Sequence, residues 1–118
     1  MAKLKATPRS YAEAAEYLRG RDSVKLGNNT WLERLNRDQQ IAVRLHSTYI
    51  VRFYQTGRVT LHTGGWYRVT TKDRMNRFIK GKVFQKDHQW YYDYPLTESN
   101  RHAGLLRVIF SEGMEVQQ

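Results

Sequence analysis

The chain has 118 residues, of which 40% are hydrophobic, and its 20 lysines and arginines exceed its 11 aspartates and glutamates, giving a formal net charge of +9. This composition indicates a globular protein and excludes a disordered one, and the absence of cysteine excludes disulfides, thiolate metal sites and a cysteine nucleophile. No apolar run reaches the roughly 20 residues that span a bilayer, so we expect an intracellular protein without membrane contact.

The first elements in chain order are an arm and a helix. Residues 1–9 are basic and short of large apolar groups, which predicts a flexible arm before one globular domain at 10–118. Ser10 and Glu13 have the spacing of a capping box, and Gly20 marks the end of the helix that follows. So short a helix needs tertiary contacts, and we expect them from Tyr11, Leu18 and either Ala14 or Ala15.

From Val24 the apolar pattern changes to a period of two, which is typical of strands with one buried face. Strands are predicted at 30–35, 41–46, 49–54 and 58–62, with turns at 36–39, 46–48 and 55–57. In the third of these strands the alternation places Val51 and Phe53 inward and Ile50 on the wet side. Gly57 supplies the positive φ of the last turn. An antiparallel meander follows from this order.

Gly64 and Gly65 interrupt the meander, and the segment 68–70 then resumes as a strand. A short helix is predicted from Lys72, with Thr70 or Thr71 as its cap, an apolar stripe, and Gly81 at its end. The stripe consists of Met75, Phe78 and Ile79.

In the C-terminal third of the chain, the residue pattern predicts a hairpin and two more strands. The hairpin joins 83–85 to 90–94, and 95–104 is a loop. The segment 105–110 is apolar on both faces, as expected of a central strand, and 114–116 is a short edge strand. We therefore predict an α+β, mainly antiparallel β domain: a curled sheet or small barrel of about six or seven strands, with an N-terminal helix and one short central helix.

The positive charge is concentrated in the middle of the chain. Between positions 39 and 86, Asp73 is the only acid. Ten basic residues lie there: Arg44, Arg52, Arg58, Arg68, Lys72, Arg74, Arg77, Lys80, Lys82 and Lys86. Such segregation indicates an anionic partner, and phosphate makes nucleic acid or a nucleotide the first class to consider.

Several motifs together resemble a family of small proteins encoded by tailed bacteriophages and mobile elements. They are NNTWLER at 28–34, IAVRLH at 41–46, GRVTL at 57–61, GGW at 64–66 and VTTKDRMNRF at 69–78. The resemblance covers residues 24–79. It implies a phage accessory protein in the host cytoplasm and brings no catalytic assignment.

Two surfaces are candidates for the ligand. At the start of the central helix, free amides, threonine hydroxyls and adjacent cations would form a phosphate cradle, which backbone amides of Gly64 and Gly65 would join. The alternative is that Thr70 and Asp73 only cap the helix. The wet face of the meander is the second surface, and its members are Arg44, His46, Arg52, Tyr54, Arg58, Thr60, His62 and Arg68.

The candidate ligand residues combine charge, hydroxyl groups and stacking surfaces. They are Arg44, Arg52, Arg68, Lys72, Arg74 and Arg77 for charge, Thr70 and Thr71 as hydroxyl donors, and Trp66 or Tyr67 for stacking. For Trp66 and Trp90, core packing is favoured over a stacking role. No cofactor or metal is expected.

The leading hypothesis is a non-enzymatic phage protein that binds nucleic acid or a nucleotide, with a role in countering host defence. In its small-ligand form the protein sequesters a nucleotide signal in a pocket, which a homo-oligomer would place at a subunit interface. Alternatively, the basic face docks on an acidic surface of a host defence protein. A nuclease in which His46 and His62 form an acid–base pair is the remaining alternative.

Overall fold

The computed structural model describes residues 3–98 and 106–116, and within those ranges it contains two helices and nine strands. The helices are α1 (Tyr11–Leu18) and α2 (Val69–Arg77). The strands are β1 (Ser23–Gly27), β2 (Thr30–Leu35), β3 (Gln40–Leu45), β4 (Thr48–Tyr54), β5 (Val59–Leu61), β6 (Lys82–Lys86), β7 (Gln89–Asp93), β8 (Arg107–Ile109) and β9 (Met114–Val116). The predicted class, mainly antiparallel β with two helices, is confirmed.

The larger sheet is a meander completed by the end of the chain. Strands β1 to β5 follow one another antiparallel, and β9 returns to pair with β5, so that the order is β1-β2-β3-β4-β5-β9. Because β1 and β9 lie at opposite edges, the sheet is open and the predicted small barrel does not form. Among the described residues there are nine strands, more than the predicted six or seven, and β1 has no counterpart among the segments predicted as strands.

The smaller sheet has the order β6-β7-β8 and contains the predicted hairpin. Asp87 and His88 form its two-residue turn with φ of 52° and 67°, as such tight hairpins require. The prediction of a central strand at 105–110 is wrong: β8 lies at an edge, and Ile109 is 62% exposed. Residues 99–104 of the predicted loop and residue 105 of the predicted strand lie outside the described residues.

Helix α1 begins as its capping residues predict. The Ser10 hydroxyl accepts the Glu13 amide at 3.1 Å, but Glu13 reaches back to the Arg9 amide at 3.4 Å, one residue before the expected partner. Ala14 and Leu18 are completely buried against the sheet. These are two of the residues predicted to pack.

The segment 3–9, predicted as a flexible arm, has contacts with the domain. The amide of Lys5 donates to the carbonyl of Leu26 at 2.8 Å, and Leu4 and Ala6 pack against the core. The basic side chains of Lys3, Lys5 and Arg9 remain exposed, so the low apolar content of this segment did not reveal its few packing residues.

One hydrophobic core joins both sheets and both helices. Its largest buried side chains include Tyr92, Phe53, Phe78 and Leu18. A register shift between Val43 and Arg44 interrupts the alternation, so Ile50 and Val51 are both buried, which corrects the outward placement of Ile50. No helix among the described residues is long and apolar enough to cross a membrane.

Helix α2 begins earlier than predicted. The segment 68–70 is not a strand, because β9 already occupies the free edge of β5, and the helix starts at Val69 with Arg68 as its N-cap. Neither Thr70 nor Thr71 is the cap. The three residues of the predicted apolar stripe, Met75, Phe78 and Ile79, are buried, but only Met75 lies within the helix.

Helix α2 ends at Arg77, four residues before Gly81. A Cβ atom at Gly81 would overlap the carbonyl oxygen of Asp93, so this glycine serves a close approach to β7. The amide side chain of Asn76 binds both the N–H and the C=O of Val83 at 2.8 Å, which ties α2 to β6.

Candidate functional site

The loop between β5 and α2 is held by one carboxylate. Both carboxylate oxygens of Glu112 accept the Thr63 amide at 3.0 Å, and the Thr63 hydroxyl donates to the same carboxylate. The amide of Gly64 and the hydroxyl of Tyr67 also bond Glu112. A residue 49 positions further along the chain therefore fixes the position of this loop.

These bonds decide the ionisation of Glu112 and the role of the glycines. Partial burial opposes the charged form, but the hydrogen bonds from Thr63, Gly64 and Tyr67 outweigh it and lower the pKa of Glu112 below its ordinary 4.5. The amides of Gly64 and Gly65 donate to Glu112 and to the Thr63 hydroxyl. The prediction that both approach a ligand anion is therefore wrong: the Gly64 amide serves an internal anion, and the Gly65 amide serves a neutral hydroxyl.

Gly64 is required by its conformation and by its neighbour. Its φ is +64°, and a Cβ atom there would lie 2.9 Å from Cγ2 of Thr48 on β4. The loop therefore lies directly against the β3–β4 turn, and the two segments enclose a cavity between them.

The cavity has a volume of about 320 Å³ and opens beside the start of α2. It is lined by Leu45, His46, Ser47, Thr48, Ile50, Thr63, Trp66, Arg68, Thr70 and Thr71. Four of the ten predicted ligand residues are thus brought together: Trp66, Arg68, Thr70 and Thr71. None of the lining residues is acidic.

Trp66 and Arg68 form a stacked pair at this site. The guanidinium carbon of Arg68 lies 4.9 Å from the ring centroid of Trp66, which is 52% exposed. The predicted core role of Trp66 is wrong, whereas Trp90 is buried as predicted. Tyr67 packs edge-on against Trp90 at 4.9 Å and does not line the cavity.

The start of α2 supplies amides as well as hydroxyl groups. Arg68 provides no side-chain hydrogen bond as N-cap, so the first-turn amides keep the unsatisfied donors of an uncapped helix. Thr71 is only 2% exposed and lines the cavity. The cavity therefore meets the side chain of a nearly buried threonine and the positive end of a nine-residue helix.

The outer face of the large sheet carries the second predicted surface. It consists of Trp31, Glu33, Arg44, Tyr49, Arg52, Tyr54, Arg58, Thr60, His62 and Glu115. Two of its arginines pair with acids that lie outside the basic segment in sequence. Arg44 bonds Glu33 at 2.8 Å, and Arg58 bonds Glu115 at 2.8 Å.

These ion pairs change the charge of the face. Burial disfavours the Glu33 carboxylate, but hydrogen bonds from Arg44 and Tyr49 lower its pKa below the ordinary value. The bond to Glu33 in turn raises the pKa of Tyr49. The acid-free surface that the middle of the chain predicts is therefore a surface of mixed sign.

Arg52 and His62 lie further along the same face. Nη1 of Arg52 donates to Gln40 at 3.3 Å, while its buried Nε has no hydrogen-bond partner in the described part of the chain. Burial and the charge of Arg52 lower the pKa of His62, whose Nε2 lies 3.0 Å from the Thr60 hydroxyl. His46 lies instead in the β3–β4 turn, at the cavity.

The remaining predicted cations of α2 do not face the cavity. Arg74 is 6% exposed, bonding the Thr30 hydroxyl at 2.9 Å and Asp73 at 2.7 Å. Arg77 also approaches Asp73, at 3.5 Å, and Lys72 donates to Gln85 at 3.2 Å. The assignment of Arg74 to ligand binding is corrected, because its side chain is a buried part of the fold.

Sequence reasoning missed three lining residues that carry polar groups: Ser47, Thr48 and Thr63. Ser47 and Thr48 had been treated only as a turn, whereas His46 had been placed on the wet face of the meander. A run of three polar side chains at a tight turn, facing a glycine pair, was the available signal. Among the described residues, no group of three His, Cys, Asp or Glu side chains could hold a metal ion.

Comparison with known proteins identifies one family. The family model described as Kyanoviridae Gp96 protein matches residues 8–117, which extends well beyond the resemblance at 24–79 and confirms a phage-encoded family of small proteins. No curated protein and no solved structure matches the chain.

Proposed function

The chain belongs to the Kyanoviridae Gp96 protein family, and we propose that it is a phage accessory protein that binds a phosphate-bearing ligand of nucleotide size. The binding site is the cavity at the start of α2. The observation that carries this proposal is the meeting of Arg68, Trp66, Thr70 and Thr71 at one acid-free cavity.

The phosphate group would bind at the helix start. Uncapped first-turn amides and the helix dipole favour an anion there, and Arg68 supplies a formal charge beside them. The hydroxyl of Thr71, which lines the cavity, would donate to an acceptor oxygen that enters it. These three donors, each from a different kind of group, suit the oxygens of one phosphate.

The base and sugar would bind between the loop and the β3–β4 turn. Trp66 offers an indole ring that is half exposed, and the Arg68 guanidinium already lies over it. A base can stack on either planar group. His46, Ser47 and Thr48 line the opposite wall with groups that hydrogen-bond sugar hydroxyls or base edges.

The size and charge of the site favour a small ligand over a polymer. A volume of about 320 Å³ is at the lower end for small-molecule sites, which span about 300–1,000 Å³. A polymer on the outer face of the large sheet would meet Glu33 and Glu115 as well as arginines. In the host cell, such a protein would withdraw a nucleotide signal by binding it without turnover.

The test is titration of the purified full chain with nucleoside mono-, di- and triphosphates and cyclic dinucleotides, followed by calorimetry and tryptophan fluorescence. Arg68→Gln and Thr71→Val should each weaken binding of the best ligand about ten- to a hundredfold, as expected for hydrogen bonds to a charged group. Arg37→Gln is the matched control, because this arginine is exposed in the β2–β3 turn.

The proposal is wrong if no compound of this panel binds, or if Arg68→Gln and Arg37→Gln have equal effects. Binding that is unchanged by Thr71→Val would remove the helix start from the site. Mass spectrometry of compounds released from the protein purified out of infected cells would identify the physiological ligand.

A further inference from the structure

The small sheet has a buried face and an outer face of a different character. Val83, Trp90, Tyr92 and Phe110 are buried on one side. Alternation along β6, β7 and β8 places the remaining side chains together on the outer face of the small sheet. Its members are Lys82, Phe84, Lys86, Gln89, Tyr91, Asp93, Arg107 and Ile109.

Large apolar groups form one row across this outer face. Phe84, Tyr91 and Ile109 are direct cross-strand partners. The rings of Phe84 and Tyr91 stack with centroids 5.7 Å apart and planes inclined by 28°. Ile109 extends the row to the edge strand, where it is 62% exposed although the core is complete without it.

Cations border the row at both ends. Lys82 and Lys86 are exposed on β6, two residues to either side of Phe84. Arg107 lies over the Phe84 ring at 4.5 Å and bonds Asp93 at 2.8 and 3.2 Å, and its side chain remains 39% exposed. Asp93, the carboxylate among these residues, is thus ion-paired with Arg107, and neither lysine forms an ion pair with any of the described residues.

We propose that the outer face of the small sheet is a second binding site, for single-stranded nucleic acid. Sheets bind unpaired bases on exposed aromatic rings and on guanidinium planes, while flanking cations contact the phosphates. Here one base stacks on Tyr91 and a second on Arg107, and Lys82 and Lys86 contact the backbone. A duplex keeps its bases inside and cannot use this row.

This site shares no residue with the cavity and does not depend on it. The test measures the affinity of fluorescent single-stranded DNA and RNA of about 20 nucleotides by anisotropy, over a range of salt concentrations. Tyr91→Leu should weaken binding about tenfold and leave the salt dependence unchanged, because it removes stacking and no charge.

The lysines should have the opposite signature. Lys82→Gln with Lys86→Gln should lower the slope of log affinity against log salt by about 1.4, since each phosphate contact on a single strand contributes about 0.7. Lys3→Gln with Lys5→Gln removes the same charge from another exposed segment and should change the slope less. Arg68→Gln, in the cavity, should leave oligonucleotide affinity unchanged.

Three results would overturn the proposal. They are duplex binding as tight as single-strand binding, equal effects of the two double lysine variants, and full affinity in Tyr91→Leu. Sedimentation provides a separate check: if the chain self-associates and Ile109→Asp separates the copies, the row is a contact between copies and the nucleic-acid site is rejected. Loss of oligonucleotide binding only in Arg68→Gln would likewise assign the polymer to the cavity.

Discussion

Glu112 and Thr63 are joined by both the amide and the hydroxyl of the threonine, so a carboxylate near the C-terminus fixes a wall of the cavity. The same carboxylate engages Gly64 and Tyr67. The glycine pair predicts a turn that binds an anion, and the carboxylate of Glu112 already occupies that turn. Stability of the fold and shape of the cavity depend on the same charge.

Glu112→Gln should lower the free energy of unfolding by about 1–2 kcal/mol at neutral pH, because an amide cannot accept all of these donors. The pKa of Glu112 is lowered in the fold, so its stabilisation is present above the ordinary value of 4.5 and is lost as the pH falls through the folded pKa. Urea unfolding across this range should show the variant and the parent converging in acid. Glu16→Gln, an exposed glutamate of α1, should show no such convergence.

Arg74→Met should destabilise the fold by about 3 kcal/mol, since it removes the buried partner of Thr30 and the nearer of the two arginines that pair with Asp73. Arg77→Met is the comparison: this side chain is 27% exposed and 3.5 Å from Asp73, and its loss should cost about 1 kcal/mol or less. Chemical denaturation measures both. Equal small losses would contradict a structural role for Arg74.

Gly64→Ala should cost about 3 kcal/mol, from its left-handed φ and from overlap with Thr48. Gly65→Ala has the φ penalty alone, since nothing lies within 4 Å of a Cβ there. Adding Thr48→Ala should therefore recover stability in the Gly64→Ala background and none in the Gly65→Ala background. Thermal unfolding of the four variants distinguishes the two costs, and rescue in both backgrounds would refute the overlap.

The buried hydroxyl of Tyr92 should make the stability of the fold depend on pH in the alkaline range. Burial raises its pKa to about 12, so the folded state resists ionisation that the unfolded chain undergoes near 10. Stability should consequently fall as the pH rises above 10, and Tyr92→Phe should reduce this fall. Spectroscopic titration of phenolate should show one step near pH 12 that the variant lacks. An unchanged titration in Tyr92→Phe would refute the assignment.

Local signals predicted most of the fold. The turns at Gly57 and at Asp87–His88 and the capping serine each depend on a few neighbouring residues, and all are found. The predicted start of α2 was wrong because it depends on β9. This strand is distant in sequence and pairs with the edge of β5 that the segment 68–70 was expected to extend. Strand position within a sheet has the same dependence, as β8 shows.

The candidate site was predicted in part for a related reason. Trp66, Arg68, Thr70 and Thr71 are close in sequence, so a local motif could group them. The partners of the other cations are distant: Arg58 meets Glu115 across 57 positions, and Arg74 reaches Thr30 across 44. A count of charge along the chain cannot register such neutralisation.

The amide side chain of Asn76 binds the main-chain N–H and C=O of Val83 as a neighbouring strand would. It thereby blocks the open margin of β6, where an incoming extended segment would otherwise add to the sheet. We expect Asn76→Ala to leave these main-chain groups open to strand addition and so to increase aggregation at high protein concentration.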